Sequence, residues 1–98
     1  MKIKNLLKKW YITHDPYSDL FQIYDSMVFN LDKSALTEFK KKNMRLLICK
    51  QSNEPVLFEI SNYYDILKVD FDILTKSSII NLINPYIEEL LRKNYGNK

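Results

Sequence analysis

Glycine is almost missing from this chain, and its absence limits both the turns and the active sites that the chain can build. The only glycine is Gly96, near the end of the 98 residues. Phosphate loops, dinucleotide-binding fingerprints and nucleophile elbows all need glycine to bring the backbone close to a ligand or to take up a positive φ. The sequence therefore excludes these three kinds of site. We expect positive φ angles in the turns at Asn53, Asn62 or similar residues, and a role for Gly96 as the cap that ends the last helix.

The composition is that of a globular protein. Hydrophobic residues make up 46% of the chain and charged residues 28%, a balance that favours a packed core over disorder. A chain of this length builds one core but has no room for a cleft between two domains. We therefore predict a single α+β domain over residues 1–98.

The sequence predicts a cytoplasmic protein that does not associate with membranes. No apolar run approaches the roughly 18 residues that a membrane span needs. Lysines interrupt residues 1–10 where a signal peptide would carry its apolar stretch. Cys49 is the only cysteine, so no internal disulfide forms, which fits a reducing compartment. We expect Cys49 to behave as a small buried hydrophobe rather than as the partner of His14 in a catalytic dyad.

The second half of the chain predicts a three-strand antiparallel meander over about residues 44–74. Residues 44–50 and 55–60 are two short apolar runs joined by a turn over residues 51–54. Over residues 66–74, apolar side chains alternate with charged ones, the pattern of a half-buried strand. The apolar set is Leu67, Val69, Phe71 and Ile73, and the charged set is Lys68, Asp70 and Asp72.

A long C-terminal helix over about residues 76–95 is predicted to pack on one face of that sheet. Its apolar positions follow the 3.6-residue period, and Thr75 or Ser77 can cap its start. Pro85 interrupts the pattern, so the helix is expected either to kink or to restart there. Arg92 and Lys93 suit the negative end of the helix dipole.

The first half predicts one or two N-terminal helices. Ile3, Leu6, Leu7 and Trp10 form one helical stripe, and Asp15-Pro16 resembles a cap that opens a second helix. Residues 21–31 also alternate as a strand would. We expect helix first and strand later, with the change near Asp25. A further helix is expected to begin near Lys33 and to end at the lysines 40–42.

Acidic residues of the predicted third strand raise the possibility of a metal site. Asp70 and Asp72 would share a strand face, and Glu59 or Asp65 could supply a third ligand for a divalent ion in a metal-dependent hydrolase. Charged residues on the wet face of a sheet need no metal, however. We therefore predict no metal, no cofactor and no catalytic residue.

The basic N-terminal half suggests an alternative function in nucleic-acid binding. The candidate phosphate contacts are Lys40, Lys41, Lys42 and Arg45, and Trp10, Tyr11 and Tyr17 could stack on bases. The chain has only two arginines, the residue that reads guanine edges and grips phosphate with two hydrogen bonds. Any such binding would have weak sequence preference and would fall steeply with salt.

Protein binding is the function that the sequence favours. Seven tyrosines stand in 98 residues, and tyrosine is enriched at interfaces because it buries a large area at low entropic cost. The predicted contact residues are Tyr63, Tyr64, Lys68, Asp70 and Asp72. In composition alone the chain resembles the accessory proteins of phages and mobile elements, which suggests an inhibitor, an immunity factor or a regulator. The partner is expected to be another protein, and a homodimer is left open.

Overall fold

The fold combines one antiparallel sheet with a long C-terminal helix, which confirms the predicted α+β class. The computed structural model describes residues 7–95. Its main elements are β1 Tyr11–Asp15, β2 Leu20–Tyr24, β3 Leu36–Lys41, β4 Met44–Cys49, β5 Pro55–Ser61, α1 Tyr63–Leu67 and α2 Lys76–Tyr95. Short 3-10 turns occupy Ser26–Asn30, Lys33–Ala35 and Phe71–Ile73. The five strands are ordered β1-β2-β5-β4-β3, and each pairs with its neighbour in antiparallel fashion.

The N-terminal part of the chain forms a hairpin where a helix was expected. The Asp15-Pro16 pair lies at the start of the turn that joins β1 to β2 and does not open a helix. Strand structure comes first and ends at Tyr24, and a 3-10 turn follows over Ser26–Asn30, the reverse of the predicted order. The reason is tertiary: β2 pairs with β5, which places Phe21 and Ile23 in the core.

Another predicted helix, starting near Lys33, is also wrong. Only a single 3-10 turn forms at Lys33–Ala35, and Leu36–Lys41 continues as strand β3. Pairing with β4 supplies the backbone hydrogen bonds that the helix would have made within itself. Lysines 40–42 therefore lie at the end of β3 and in the turn that leads to β4.

The β4–β5 hairpin confirms two of the three strands predicted for the meander. Its turn is closed by hydrogen bonds from the Cys49 N–H to the Glu54 carbonyl at 2.9 Å and from the Asn53 N–H to the Cys49 carbonyl at 2.7 Å. Asn53 and Asn62 have φ angles of 60° and 55°, as expected. Asp19, Lys42 and Lys68 also have positive φ. In a chain so poor in glycine, charged side chains hold left-handed positions that glycine usually occupies.

The predicted third strand over residues 66–74 is wrong. That segment contains the end of α1, a 3-10 turn over Phe71–Ile73 and the start of the connection to α2. Both edges of β5 are already paired, one with β2 and the other with β4, so the segment that follows has no edge of β5 to join. Leu67 and Phe71 are buried but Ile73 is exposed, which breaks the alternation that predicted a strand.

Helix α2 covers one face of the sheet, over the bounds that the sequence predicts. The Thr75 hydroxyl caps its start by accepting a hydrogen bond from the Ser78 N–H at 3.1 Å. The helix is continuous through Pro85, so it does not restart there. Its buried apolar residues are Ile79, Ile80, Ile83, Ile87 and Leu90.

The main core lies between α2 and the sheet. The sheet contributes two buried residues each from β2, β4 and β5, namely Phe21, Ile23, Leu46, Ile48, Phe58 and Ile60. Leu7 and Trp10 of the predicted N-terminal stripe are buried in the same core. The other two members of that stripe, Ile3 and Leu6, and the predicted cap Gly96 lie outside the described residues.

A smaller apolar cluster lies on the other face of the sheet. Val28, Cys49, Val56 and Leu57 are buried there. Polar side chains also lie on that face: Gln22 and Arg45 both donate hydrogen bonds to the Glu59 carboxylate, at 2.7 and 3.1 Å. Within residues 7–95, no helix has the length and apolar character needed to cross a bilayer.

An ion pair joins the end of β3 to α2 and makes stability depend on pH. The Lys41 Nζ lies 2.5 Å from the Glu89 Oε1. The hydrogen bond from Lys41 lowers the pKa of Glu89 below its ordinary value of 4.5, and the same bond raises the pKa of Lys41 above 10.5. Because the pKa of Glu89 is lower in the folded state than in the unfolded state, its charged carboxylate stabilises the fold above pH 4.5. This contribution to the free energy of unfolding is lost as the pH falls through the lowered pKa.

We therefore expect Glu89→Gln to lower the melting temperature at pH 7 by a small amount, about 2 °C, because solvent still reaches much of both side chains. The difference from the wild type should shrink as the pH falls below 4.5. Glu88→Gln is the matched control, since its amide still accepts the hydrogen bond that Asn84 donates at 3.1 Å. Melting curves followed by circular dichroism between pH 3 and 7 test this. A loss of melting temperature in Glu89→Gln that is the same at pH 3 as at pH 7 would contradict it.

Candidate functional site

The residue at the centre of the candidate site is Tyr63, the first residue of α1. Asn62 precedes it in a left-handed conformation and turns the chain out of β5. The Tyr63 ring is buried, and its Oη lies 3.3 Å from the Nδ1 of His14 on β1. A hydroxyl and an imidazole can satisfy each other in either direction, so this contact ties α1 to the edge strand of the sheet.

Aromatic packing attaches the 3-10 turn at residues 71–73 to the same place. Phe71 stacks on Phe21 of β2 with ring centroids 4.7 Å apart, and its centroid lies 5.3 Å from that of Tyr63. His14 also packs against Phe71, at 5.8 Å. One aromatic cluster therefore holds together four elements of the chain: β1, β2, α1 and the 3-10 turn.

Asp72 extends the cluster to the surface. Its Oδ1 lies 3.3 Å from the Nε2 of His14. Asp70 caps the same 3-10 turn by accepting a hydrogen bond from the Asp72 N–H at 3.0 Å. The sequence analysis predicted that the two carboxylates share one face of a strand. That prediction is wrong, because both stand on a tight turn.

Four carboxylates surround Tyr63. Burial is the main reason that the pKa of Tyr63 is raised above 10.0, and the negative charges of Asp19, Asp72, Asp15 and Asp70 raise it further. The Asp15 carboxylate accepts a hydrogen bond from the Tyr17 N–H at 3.0 Å. That bond, with others from Ser18, lowers the pKa of Asp15 below 3.8. Asp15 is therefore charged at neutral pH.

Exposed apolar side chains flank these carboxylates. Tyr17 in the β1–β2 turn is 99% exposed, Ile73 beside Asp72 is 80% exposed and Tyr64 on α1 is 60% exposed. The Tyr64 N–H lies 3.3 Å from the Asp19 Oδ1, which places the tyrosine next to the acidic group. We call this surface the acidic end; it consists of Asp15, Asp19, Asp70, Asp72, Tyr17, Tyr64 and Ile73.

The structure brings together four of the five residues predicted for protein contact. Tyr63, Tyr64, Asp70 and Asp72 all belong to the aromatic cluster or to the acidic end. Tyr63 is buried, so it positions its neighbours rather than offering a surface. Lys68 is the residue after α1 and caps its end, because its N–H donates to the Tyr64 carbonyl at 2.7 Å. It therefore lies outside the sheet.

Sequence reasoning missed the contributions of His14, Asp15 and Asp19. All three belong to β1 or to the turn that follows it, and the sequence analysis assigned Asp15 and Asp19 to a helix and its cap. The signal was present in Asp15-Pro16-Tyr17, because an aspartate that accepts from the backbone two residues on is also the mark of a turn.

The candidate phosphate contacts are partly engaged with carboxylates. Lys41 pairs with Glu89. Arg45 donates to Glu59 at 3.1 Å and lies 3.4 Å from Glu38. Lys40 and Lys42 are exposed.

Cys49 and His14 lie on opposite faces of the sheet, with β2 and β5 between their strands. Cys49 is buried, as expected. Hydrogen bonds from Ser52 lower its pKa below 9.0. The arrangement does not form a catalytic dyad.

No group of three or more histidine, cysteine, aspartate or glutamate side chains within residues 7–95 is arranged to hold a metal ion. Glu59, one of the two suggested third ligands, lies on β5 and is paired with Gln22 and Arg45.

Comparison with protein-family models finds no match to the chain. Comparison with curated proteins and with solved structures finds none either. What the protein does must therefore be inferred from the chemistry of its own surface.

Proposed function

We propose that the protein acts by binding another protein through the acidic end, and that the partner presents a basic surface. The observation that carries this proposal is the convergence of four carboxylates around Tyr63, next to three exposed apolar side chains. The chain as a whole has a net charge of +3, so this concentration of negative charge is local. Charge of one sign beside exposed aromatic and aliphatic groups is the chemistry of a steered protein interface.

Binding of this kind suits an inhibitor, an immunity factor or a regulator. Such a protein acts by covering a surface of its partner and catalyses no reaction. The aromatic packing beneath the acidic end supports this, because a surface held in place before binding loses little entropy when it binds. Nucleic-acid binding through Lys40, Lys41, Lys42 and Arg45 stays an untested alternative. It is less well supported because Lys41 and Arg45 already pair with carboxylates.

Site-specific crosslinking tests the proposal. A photoreactive phenylalanine analogue replaces Tyr64 in the acidic end, or Phe29 on the opposite side of the sheet, in cells of the source organism. We expect a protein adduct at position 64 and none at position 29. Asp70→Asn with Asp72→Asn should reduce the adduct about tenfold or more, because these changes remove charge and keep the shape.

Matched controls separate the alternatives. Lys40→Gln with Lys42→Gln should leave the adduct at position 64 unchanged. Loss of the adduct on nuclease treatment, or on these two lysine changes alone, would favour nucleic-acid binding instead. Equal adducts at positions 64 and 29, or an adduct that ignores the two aspartates, would overturn the proposal.

A further inference from the structure

Strand β1 is an edge strand, and the hydrogen-bond pattern of the sheet shows which of its backbone groups face outward. The Asp25 N–H, just beyond β2, donates to the Val56 carbonyl at 2.9 Å. Backbone groups alternate in direction along an antiparallel strand, so Gln22 of β2, three residues earlier, directs its own groups toward β1. Gln22 is paired with Thr13.

It follows that Thr13 faces β2, and that the N–H and C=O groups of its neighbours Ile12 and His14 point away from the sheet. Among residues 7–95, the backbone hydrogen bonds outside helices and strands include none to either residue. These four groups form a short row that can pair with an added strand.

A groove runs along this edge on the side that α2 covers. Its volume is about 360 Å³, and the side chains of Ile12 and His14 line it together with Trp10, Phe71 and Ile79. Side chains of a strand that pairs with β1 would point into this groove wherever they stand opposite Ile12 or His14, because paired residues share a face. Residues two apart on the added strand would therefore fill it.

The two ends of the groove differ in chemistry. Around Ile12 the wall is apolar, and Lys76 closes that end by donating to the Lys8 carbonyl at 2.8 Å. Around His14 the groove opens toward Asp72, whose exposed carboxylate lies 3.3 Å from the imidazole. Asp70 stands beside it on the same turn. An apolar side chain suits the first end, and a cationic side chain suits the second.

We propose that β1 takes up an extended segment of the partner protein as a sixth strand of the sheet. In that segment an apolar residue stands opposite Ile12, and a lysine or arginine two residues away stands opposite His14, within reach of Asp72. This inference rests on the proposed function and names the kind of segment that the acidic end recognises. Recognition of this kind takes affinity from backbone hydrogen bonds and specificity from alternate side chains.

A second copy of this chain fits the edge less well. In a two-fold antiparallel pairing of two β1 strands centred on Thr13, the residue opposite each His14 is the other copy's Ile12, so no lysine or arginine would stand beside Asp72.

Selection from a random peptide library displayed on phage, with the whole protein as bait, tests the inference. We expect enrichment of peptides with an apolar residue and a lysine or arginine at positions two apart. Replacing that basic residue with glutamate in a synthetic copy of the best peptide should weaken binding about tenfold or more. Hydrogen exchange in the complex should slow at the amides of Ile12 and His14.

A pair of variants separates the backbone contribution from the imidazole. His14→Pro removes the outward N–H, and proline is tolerated at an edge position whose N–H faces outward. His14→Ala removes the imidazole and keeps the N–H. Both variants lack the imidazole and only the alanine variant keeps the N–H, so we expect the selected peptide to bind the proline variant about tenfold or more weakly than the alanine variant, with both folded by circular dichroism.

Three results would overturn the inference: no enrichment of basic peptides, equal binding of the lysine and glutamate peptides, or unchanged exchange at Ile12 and His14. Dimerisation of the protein through β1, seen by sedimentation and abolished by His14→Pro, would also overturn it in favour of a second copy. If crosslinking at position 64 succeeds while these results fail, the inference about the edge is wrong and the proposed function stands.

Discussion

Replacing Phe58 with alanine is expected to lower the free energy of unfolding by about 3–5 kcal/mol, the range for an aromatic residue lost from a packed core. Phe58 is fully buried on β5, the central strand. It stands opposite Ile23 on one side and Leu46 on the other. The cavity left by its ring would therefore lie where two strand pairs and α2 meet. Urea unfolding followed by circular dichroism measures the change.

The matched control is Phe29→Ala. Phe29 is 73% exposed and touches Tyr24 at a centroid distance of 5.2 Å, so its loss should cost about 1 kcal/mol or less. Phe58→Leu, which keeps most of the volume, covers the case in which the alanine variant does not fold, and it should cost about 1.5 kcal/mol or less. Equal losses for Phe58→Ala and Phe29→Ala would mean that the core is not where the structure places it.

Pro85→Ala is expected to raise the free energy of unfolding by about 2 kcal/mol. A proline inside a helix lacks the N–H that would bond the carbonyl four residues earlier, which costs about 3 kcal/mol. Part of that gain is offset because alanine allows the unfolded chain more freedom, by about 0.4–1 kcal/mol. Pro85 and Asn81, whose carbonyl loses its partner, are both exposed, so the repaired hydrogen bond requires no repacking of the core.

Asn81→Ala is the control for helix propensity alone. It lies on the same exposed side of α2, and the better propensity of alanine should add about 0.7 kcal/mol or less. Thermal melts of the two variants beside the wild type measure the difference. A Pro85→Ala variant no more stable than Asn81→Ala would show that the packing of α2 depends on the proline.

Local pattern was sufficient to predict elements whose partners lie next to them in the sequence. The β4–β5 hairpin follows from two apolar runs and a turn carrying Asn53, and α2 follows from a long 3.6-residue period that begins after Thr75. The same kind of evidence failed at residues 66–74. There the alternation ends at an exposed Ile73, and both edges of β5 are already occupied.

The candidate site could be predicted only in part. Tyr63, Tyr64, Asp70 and Asp72 were selected for their residue types and their nearness in the chain. His14, Asp15 and Asp19 reach them from about fifty residues away, through the pairing of β1 with β2 and of β2 with β5. Side-chain alternation within a segment can indicate a strand, but it does not show which distant strand that segment pairs with.

The sequence by itself determined the α+β class, the bounds of α2, the β4–β5 hairpin and the use of asparagine at two positive-φ turns. These depend on contacts within a few residues, where side-chain period and backbone preference act directly. Only the tertiary structure decided that the N-terminal segment is a hairpin, that it takes the edge of β5 expected for a later strand, and that it brings His14 beside Tyr63. Those outcomes depend on which distant segments bury their apolar faces together, and that competition is settled by the packing of the whole chain.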